Sequence, residues 1–324
     1  MRSETAAGPV TSVMMTTGNA ERFVNAAVDS VLQQTFENLE LIVVDDGSTD
    51  CTAERLRQYA DERLQVILQP NQGYPAALNA ALRAAQGVYP GFLDGDDVWL
   101  ATKLARHIEF MERHPEADLT FSWSRLIAEN GEEIGVHSRH WRGTISFREL
   151  LADFVIGNSS SLVLRRSALD RAGWLDPELP RFCDMDLCLR VALLRPGNVH
   201  AIPEELTLYR RRSGQMSRDR EGMRLEWSGL LGKFRRLAPE ETAAVVRQAS
   251  SNMTRYFAYL AYENDQFREA GRLLWEGFRS FPTGFLADSR NWKLSAASLA
   301  GLVLPRTVHR RLERLAGVSR DGRG

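Results

Sequence analysis

Cysteine is scarce in this chain of 324 residues: Cys51, Cys183 and Cys188 are the only three, and they form no C-x-x-C pair. An odd count at that spacing argues against a disulfide framework and for a reducing, cytoplasmic compartment. Long apolar runs are missing too. The longest, Leu294 to Leu304, is broken by Ser295 and Ser298 and is too short to span a bilayer. Met1 to Pro9 is polar and holds no apolar core, so no secretory signal is expected. A net charge of −1 lacks the basic excess that a nucleic-acid partner would require. Glycine-rich phosphate loops are also absent. No G-x-G-x-x-G follows the first predicted strand and no G-x-x-x-x-G-K-[ST] occurs anywhere, which disfavours dinucleotide dehydrogenases and P-loop enzymes.

The N-terminal half alternates between two periodicities. Strands are predicted at Val10 to Met15, Leu39 to Val44, Leu64 to Leu68 and Val88 to Leu93. Helices are predicted between and after them: Ala20 to Gln34, a second capped by Thr49 or Asp50 and running to Ala60, Pro75 to Ala85, and Trp99 to His114. This order predicts an α/β fold with a mostly parallel central sheet and helices on both faces. Pro90 removes a ladder donor from the fourth strand, so a bulge or a short pairing is expected there.

Two strands end in carboxylates, one in Asp45-Asp46 and the other in Asp94-Gly95-Asp96-Asp97. Like charges this close raise one another's pKa unless a cation compensates them. Mg²⁺ suits such a site, because it takes one or two carboxylates and completes its shell with phosphate oxygens and water. Strand ends on one side of a parallel sheet face one crevice, where such folds bind ligands. An acidic turn capping the next helix is the simpler reading of either cluster taken alone.

Several ordered segments carry a specific resemblance. They are Ser12 to Asn19, Ala27 to Phe36, Glu40 to Asp50, Asn71-Gln72-Gly73 with Ala77-Leu78-Asn79, and Phe92 to Leu100. Together they resemble a family 2 glycosyltransferase over roughly Val10 to Ser217. The resemblance implies a GT-A fold, a nucleotide-sugar donor, Mg²⁺ or Mn²⁺, and inversion at the anomeric carbon. By the same resemblance Thr16 lies beside the nucleoside and Asp46 accepts from the base. Asp94 and Asp96 form the metal-binding D-x-D pair, Asp96 being the direct ligand, while Asp97 caps the helix or holds the loop. Phe182 to Ala192 resembles the acidic segment that carries the catalytic base. Asp184 takes that place, with Cys183 where an acid usually precedes it and Asp186 read as structural.

Three further positions depart from the family pattern. Gly18 replaces an aromatic residue at the base pocket, Leu78 stands where arginine is frequent, and Arg212 replaces a histidine. Arginine has no lone pair for a metal but binds phosphate through a forked pair of donors. Arg212 or a neighbour in Arg210-Arg211-Arg212 is therefore expected at the diphosphate. His137 and His140 read as loop residues, and Trp123, Trp141 and Trp174 as either core or acceptor-cleft residues.

Ser159 to Arg166 reads as a strand, with a short helix from Ala168 to Ala172 stopped by Gly173. Beyond it helices are expected at Glu221 to Leu237, Glu240 to Glu263 and Gln266 to Phe281; the last two resemble a single tetratricopeptide unit, which cannot bury its own face. The expected organisation is a disordered tail (1–8), a glycosyltransferase domain (9–217), a helical region (218–304) and a basic tail (305–324). That tail reads either as a solvated helix or as a peripheral contact with anionic lipid at the inner face of the cell membrane. The expected activity is transfer from a nucleotide sugar, UDP by family frequency, to a saccharide, a lipid-linked saccharide or another hydroxyl acceptor. A sugar-nucleotide hydrolase and a non-catalytic sugar-nucleotide-binding scaffold are the alternatives.

Overall fold

The computed structural model describes residues 8–136, 140–212, 215–216, 219–304 and 308–309. Its first strands and helices alternate as β1 (Thr11–Thr17), α1 (Val24–Leu32), β2 (Leu39–Asp46), α2 (Thr52–Leu56), β3 (Leu64–Gln69), α3 (Tyr74–Ala84) and β4 (Tyr89–Asp94). Then follow β5 (Val98–Trp99), α4 (Lys103–Arg113), β6 (Leu119–Ile127), β7 (Glu133–Val136), β8 (Gly143–Thr144) and α5 (Phe147–Ala152). A 3₁₀ turn (Ser159–Ser161) leads into β9 (Leu162–Leu164), α6 (Arg166–Ala172), α7 (Cys183–Leu194) and β10 (Val199–Arg210). Helices complete the chain: α8 (Arg220–Leu237), α9 (Pro239–Glu263), α10 (Phe267–Ser280), α11 (Pro282–Ala287) and α12 (Ser289–Val303).

The sheet runs in the order β3-β2-β1-β4-β9-β6-β10-β5. β1 pairs in parallel with both β2 and β4, and β2 in parallel with β3, while β9 is antiparallel to β4 and to β6. This is the mostly parallel, helix-flanked α/β architecture expected of a GT-A core, followed by helices. Its centre is built from residues with no access to water: Val13, Met15, Leu41, Val43 and Leu93 on strands, and Val24, Val28, Val31, Leu104 and Met111 on helices. Strand order reverses at β1, since β2 and β3 lie to one side of it and β4 to the other. Such a switch point opens a crevice at the carboxyl ends of the strands.

Several expected boundaries move, each for a local reason. The first helix starts at Val24 rather than Ala20, because the Ala20 N–H is taken by Thr52 Oγ1 at 2.9 Å and Ala20–Phe23 closes as a turn. The second stops at Leu56, short of Ala60, where the Gln58 and Tyr59 amides fall back to three-residue spacing. The fourth starts at Lys103, not Trp99. Val98 and Trp99 instead pair antiparallel with Leu208 and Thr207 of β10. Ser159–Ser161 is a 3₁₀ turn rather than the start of a strand, with Ser161 Oγ donating to the Asn158 carbonyl at 2.8 Å. Pro90 keeps full register with Ser12 on one side. Tyr89 N–H points to β1, so alternation turns residue 90 to the other edge, where pairing with β9 shrinks to Gly91 and Val163. The short pairing expected from Pro90 is found on that edge.

The chain divides into two compact units. The first holds the described residues of Met1–Arg125, His137–Ser146 and Val155–Arg210; the second those of Leu126–Val136, Phe147–Phe154 and Arg211–Gly324. Within the second unit α9 and α10 pack on each other and on α5, α8 and α12. The hairpin thus covers its apolar face with more than one partner. Phe147 and Phe234 meet at 5.5 Å between ring centroids, and Asn252 Nδ2 donates to the Ala152 carbonyl at 2.8 Å. Among the described residues no helix is long and apolar enough to cross a membrane.

One close approach anchors the turn before β4. The Gly87 N–H donates to Ser12 Oγ at 2.7 Å, and a Cβ there would fall 2.6 Å from Ser12 N and Thr11 C. Those are backbone atoms of a central strand and cannot give way. Gly87→Ala should cost about 1–3 kcal/mol, measured as a lower urea midpoint; an unchanged midpoint would contradict this contact.

Candidate active site

Three strand ends define the crevice. Thr16 on β1 is in register with Val44 of β2 on one side and with Asp94 of β4 on the other. Asp45 and Asp46 end β2, and Asp46 is in register with Gln69 of β3. Asp46 is already organised by the protein: Oδ1 accepts from Gln69 Nε2 and from the Gln72 N–H, and Oδ2 from the Gly73 N–H, each at 2.8 Å. A carboxylate offers about four acceptor sites, so one direction stays open for a ligand donor. Asp45 turns the other way and accepts from the Ser48 N–H at 3.2 Å and from the Ser48 hydroxyl. Thr17 Oγ1, beside Thr16, is buried and finds no hydrogen-bond partner in the protein.

The acidic loop after β4 is pinned at each position. The Gly95 N–H donates to the Thr16 carbonyl at 2.9 Å, and a Cβ on Gly95 would come within 2.8 Å of Thr17 Cβ. Only glycine lets the loop lie so near β1, which explains its place in the motif. Asp94 Oδ1 accepts from the Tyr74 hydroxyl at 2.7 Å, and Ser159 Oγ lies 3.2 Å from Oδ2. The backbone carbonyl of Asp96 accepts from Arg210 Nε at 2.7 Å. Asp97 is fully buried, accepting from Ser160 Oγ at 2.6 Å and from the Arg210 N–H at 2.8 Å. With α4 starting at Lys103, Asp97 caps no helix; it holds the loop.

Asp184 stands in the first turn of α7, its Oδ1 accepting from the Met185 N–H at 2.7 Å. The preceding loop is fixed by Asn79, which exchanges two hydrogen bonds with the backbone of Leu175 at 2.8 and 3.1 Å. Asp186 pairs with Arg190, whose guanidinium also binds the carbonyls of Ala172, Gly173 and Trp174. That is the structural role expected of Asp186.

The charges feel one another. Burial, then the neighbouring Asp96, pushes Asp94 up to about 7; Asp184 adds to the rise, while the Tyr74 and Ser159 hydroxyls oppose it. Burial and the charges of Asp96 and Asp94 push Asp97 well above the carboxylate range. Asp184 is lifted to about 6 by burial, with backbone N–H groups working against the rise. The charge of Asp184 thus reaches Asp94. Cys183, next to Asp184 in the chain, is a buried thiol pushed up by burial and by the charges of Asp184 and Asp94.

Other expected residues fall elsewhere. Gly18 is exposed, and a Cβ there would meet nothing within 4 Å. Leu78 is fully buried on α3. In the arginine triplet, Arg210 holds the acidic loop, Arg211 pairs with Glu263, and the Arg212 N–H donates to Gln215 Oε1 at 3.3 Å. Trp123 is buried and stacks on His140 at 4.0 Å, and Trp174 is part-exposed. His137 and most of the basic tail lie outside the described residues. Tyr74, Ser159 and Ser160 are not singled out as site residues by the sequence. Each is an ordinary residue type whose partner lies far along the chain.

Among the described residues no group of three or more His, Cys, Asp or Glu side chains is arranged to hold a metal ion. A cage made wholly of protein ligands is thereby disfavoured there. The donor chemistry of Asp94 and Asp96 fits a hard cation that draws its other ligands from phosphate and water. Their mutual repulsion is what such a cation would relieve.

Comparison with known proteins agrees with this geometry. The Glycosyl transferase family 2 profile matches residues 12–172. The chain is 32% identical over 213 residues to the Escherichia coli UDP-Glc:alpha-D-GlcNAc-diphosphoundecaprenol beta-1,3-glucosyltransferase WfaP, covering 64% of this chain and 79% of that protein. It is 31% identical over 210 residues to an uncharacterized glycosyltransferase of Nostoc sp., of which it spans 64% while 61% of this chain is matched. Among solved structures, Staphylococcus aureus TarS 1-349 in complex with UDP-GlcNAc superposes with a TM-score of 0.61 at 18% identity, covering 97% of this chain and 89% of that one. Of the longer TarS chain this protein covers 54%. The Pyrobaculum calidifontis mannosyltransferase PcManGT, in complex with GDP-Man and Mn²⁺, gives 0.60 at 19% identity, covering 96% and 85%. At such identities the structures share the fold.

The raised carboxylates have a measurable consequence. A folded-state pKa above the unfolded value of about 3.9 adds stability below that pH and loses it as pH rises through the folded value. Without added metal, the melting temperature should fall as pH rises from about 4 to about 7, where folded Asp184 and Asp94, with pKa values of about 6 and 7, hold protons that the unfolded chain has released. Asp94→Asn should flatten that fall in differential scanning calorimetry; an identical pH profile would mean Asp94 carries no raised pKa.

Proposed function

Since the chain belongs to glycosyl transferase family 2 and transfers a sugar from a nucleotide-sugar donor on a GT-A fold, we propose that it is an inverting, metal-dependent enzyme using a UDP-sugar. The observation that supports this reading is that Asp94, which ends β4 beside Thr16 of β1 at the sheet's switch point, feels the charge of Asp184. One carboxylate side faces the leaving diphosphate, and one carboxylate with a pKa near neutrality stands ready for the acceptor.

Asp184 is the general base. With a pKa of about 6 it is ionised at neutral pH yet basic enough to take the acceptor hydroxyl proton. Asp96 and Asp94 would hold Mg²⁺ or Mn²⁺, which when bound supplies positive charge against the diphosphate leaving group. Asp46 orients the base through its open lone pair, and Thr16 and the unpartnered Thr17 hydroxyl flank the nucleoside. Arg212, two residues past β10, is assigned to the diphosphate as a forked donor.

A UDP donor and a saccharide acceptor, including a lipid-linked one, are supported by the relative whose name specifies UDP-Glc and a diphosphoundecaprenol acceptor. An acceptor of that kind would bring the protein to a membrane surface. The exposed Trp292, Leu299 and Val303 of α12, ahead of the arginines at 306, 310, 311 and 314, suit an anionic bilayer. The protein should co-sediment with anionic vesicles and not with neutral ones; equal recovery with both would count against the contact.

Asp184→Asn should lower kcat by about 10²–10⁴ while calorimetry still registers UDP binding. The acid limb of the wild-type rate profile should lie near pH 6. Asp96→Ala should abolish the rise in melting temperature that UDP gives with Mn²⁺. Full turnover by Asp184→Asn would refute the base assignment.

A further inference from the structure

Lys103 is fully buried at the start of α4, and among the described residues its side-chain nitrogen meets no carboxylate. Burial alone pushes its pKa well down. A lysine in that position needs a reason to be there, because a buried charge is costly unless its donors are met. Its Nζ reaches Ser122 Oγ at 2.9 Å, the Ser161 carbonyl at 3.1 Å, Thr207 Oγ1 at 3.1 Å and His107 Nε2 at 3.4 Å. The Trp99 ring lies 5.1 Å from Nζ.

The directions of these bonds can be worked out from their ends. The Ser161 carbonyl only accepts. Thr207 Oγ1 spends its own proton on the Ser160 carbonyl at 3.4 Å, so it accepts from Lys103. Thr120 Oγ1 likewise donates to the Val163 carbonyl at 3.2 Å, so it accepts from His107 Nδ1 at 2.8 Å. That leaves His107 Nε2 as a bare acceptor toward Lys103. With Ser122 Oγ these make four partners around one nitrogen, more than the two donors of a neutral amine can meet and closer to the three of an ammonium.

The bonds converge on the 3₁₀ turn. Lys103 binds its last carbonyl, and Thr207 and Trp99 Nε1 (2.7 Å) bind the carbonyl of Ser160. The hydroxyls of the same turn meet Asp94 and Asp97, at 3.2 Å from Ser159 and 2.6 Å from Ser160. We infer that Lys103 is a positioning residue: its buried ammonium clamps the Ser159–Ser161 turn so that the turn's hydroxyls hold Asp94 and Asp97 in place for the donor. The inference rests on the proposed donor site for its functional part, and on the turn alone for its structural part.

The test compares Lys103→Met with Ser122→Ala, which removes a lysine partner lying outside the turn. Both are measured in the full chain, well below their melting temperatures. Lys103→Met should weaken Mn²⁺-dependent UDP binding at least tenfold, and speed hydrogen exchange of the Trp99 indole N–H at least tenfold relative to amides of β2. Ser122→Ala should leave UDP affinity within twofold of wild type. Loss of stability without either change in Lys103→Met would overturn the inference. If Lys103→Met does not fold, Thr207→Val takes its place, with Trp99 exchange faster and UDP binding weaker expected, and both unchanged overturning it. A wild-type protein that binds no nucleotide would sink the donor-site reading, and faster Trp99 exchange in the variant would still support the clamp.

Discussion

The buried carboxylate of Asp97 is the constraint on which the crevice depends. It has no contact with water, so it must be satisfied from within, and it draws a hydroxyl from the turn before β9 and an amide from the end of β10. Those two bonds join pieces of chain that are 63 and 113 residues from it. Breaking either would leave a buried acceptor unpaired, at a cost of roughly 1–3 kcal/mol. The loop is therefore placed by the fold, and Asp94 and Asp96 inherit their positions from it.

A second theme is the concentration of negative charge at the end of β4. Arg210 donates to the Asp97 carboxylate through its backbone and to the Asp96 carbonyl through its side chain. Its guanidinium lies over the Phe23 ring at 4.9 Å. Cys183, a buried thiol beside Asp184, adds no charge to those that must be accommodated. Asp94, Asp97 and Asp184 are left with raised pKa values, which suits a site organised for a ligand rather than for its own stability.

Much of this was legible in the residue pattern. The strands from β1 to β4 follow from apolar runs that end in turn residues, and their parallel order follows from the intervening helices. The two acidic clusters announced the crevice because carboxylates seldom crowd at a strand end without use. Less legible was anything set by distance along the chain. Val98-Trp99-Leu100 looks like a helix start until β10 supplies a partner 108 residues after Trp99 in Thr207. Ser159 to Ser161 looks like a strand because Leu162 to Leu164 continues it. Tyr74 and Lys103 carry no periodic signal, and their roles appear only once α3 and α4 are docked on the sheet.

The cysteine distribution has a practical consequence. Cys183 and Cys188 are buried, whereas Cys51 is exposed at the start of α2, five residues beyond Asp46. Its amide is held by Glu21 at 3.1 Å, so the backbone around it is fixed. An environment-sensitive fluorophore attached there would sit at the rim of the crevice in the native sequence. Occupancy could then be followed optically in the unmutated protein, before any acceptor is known.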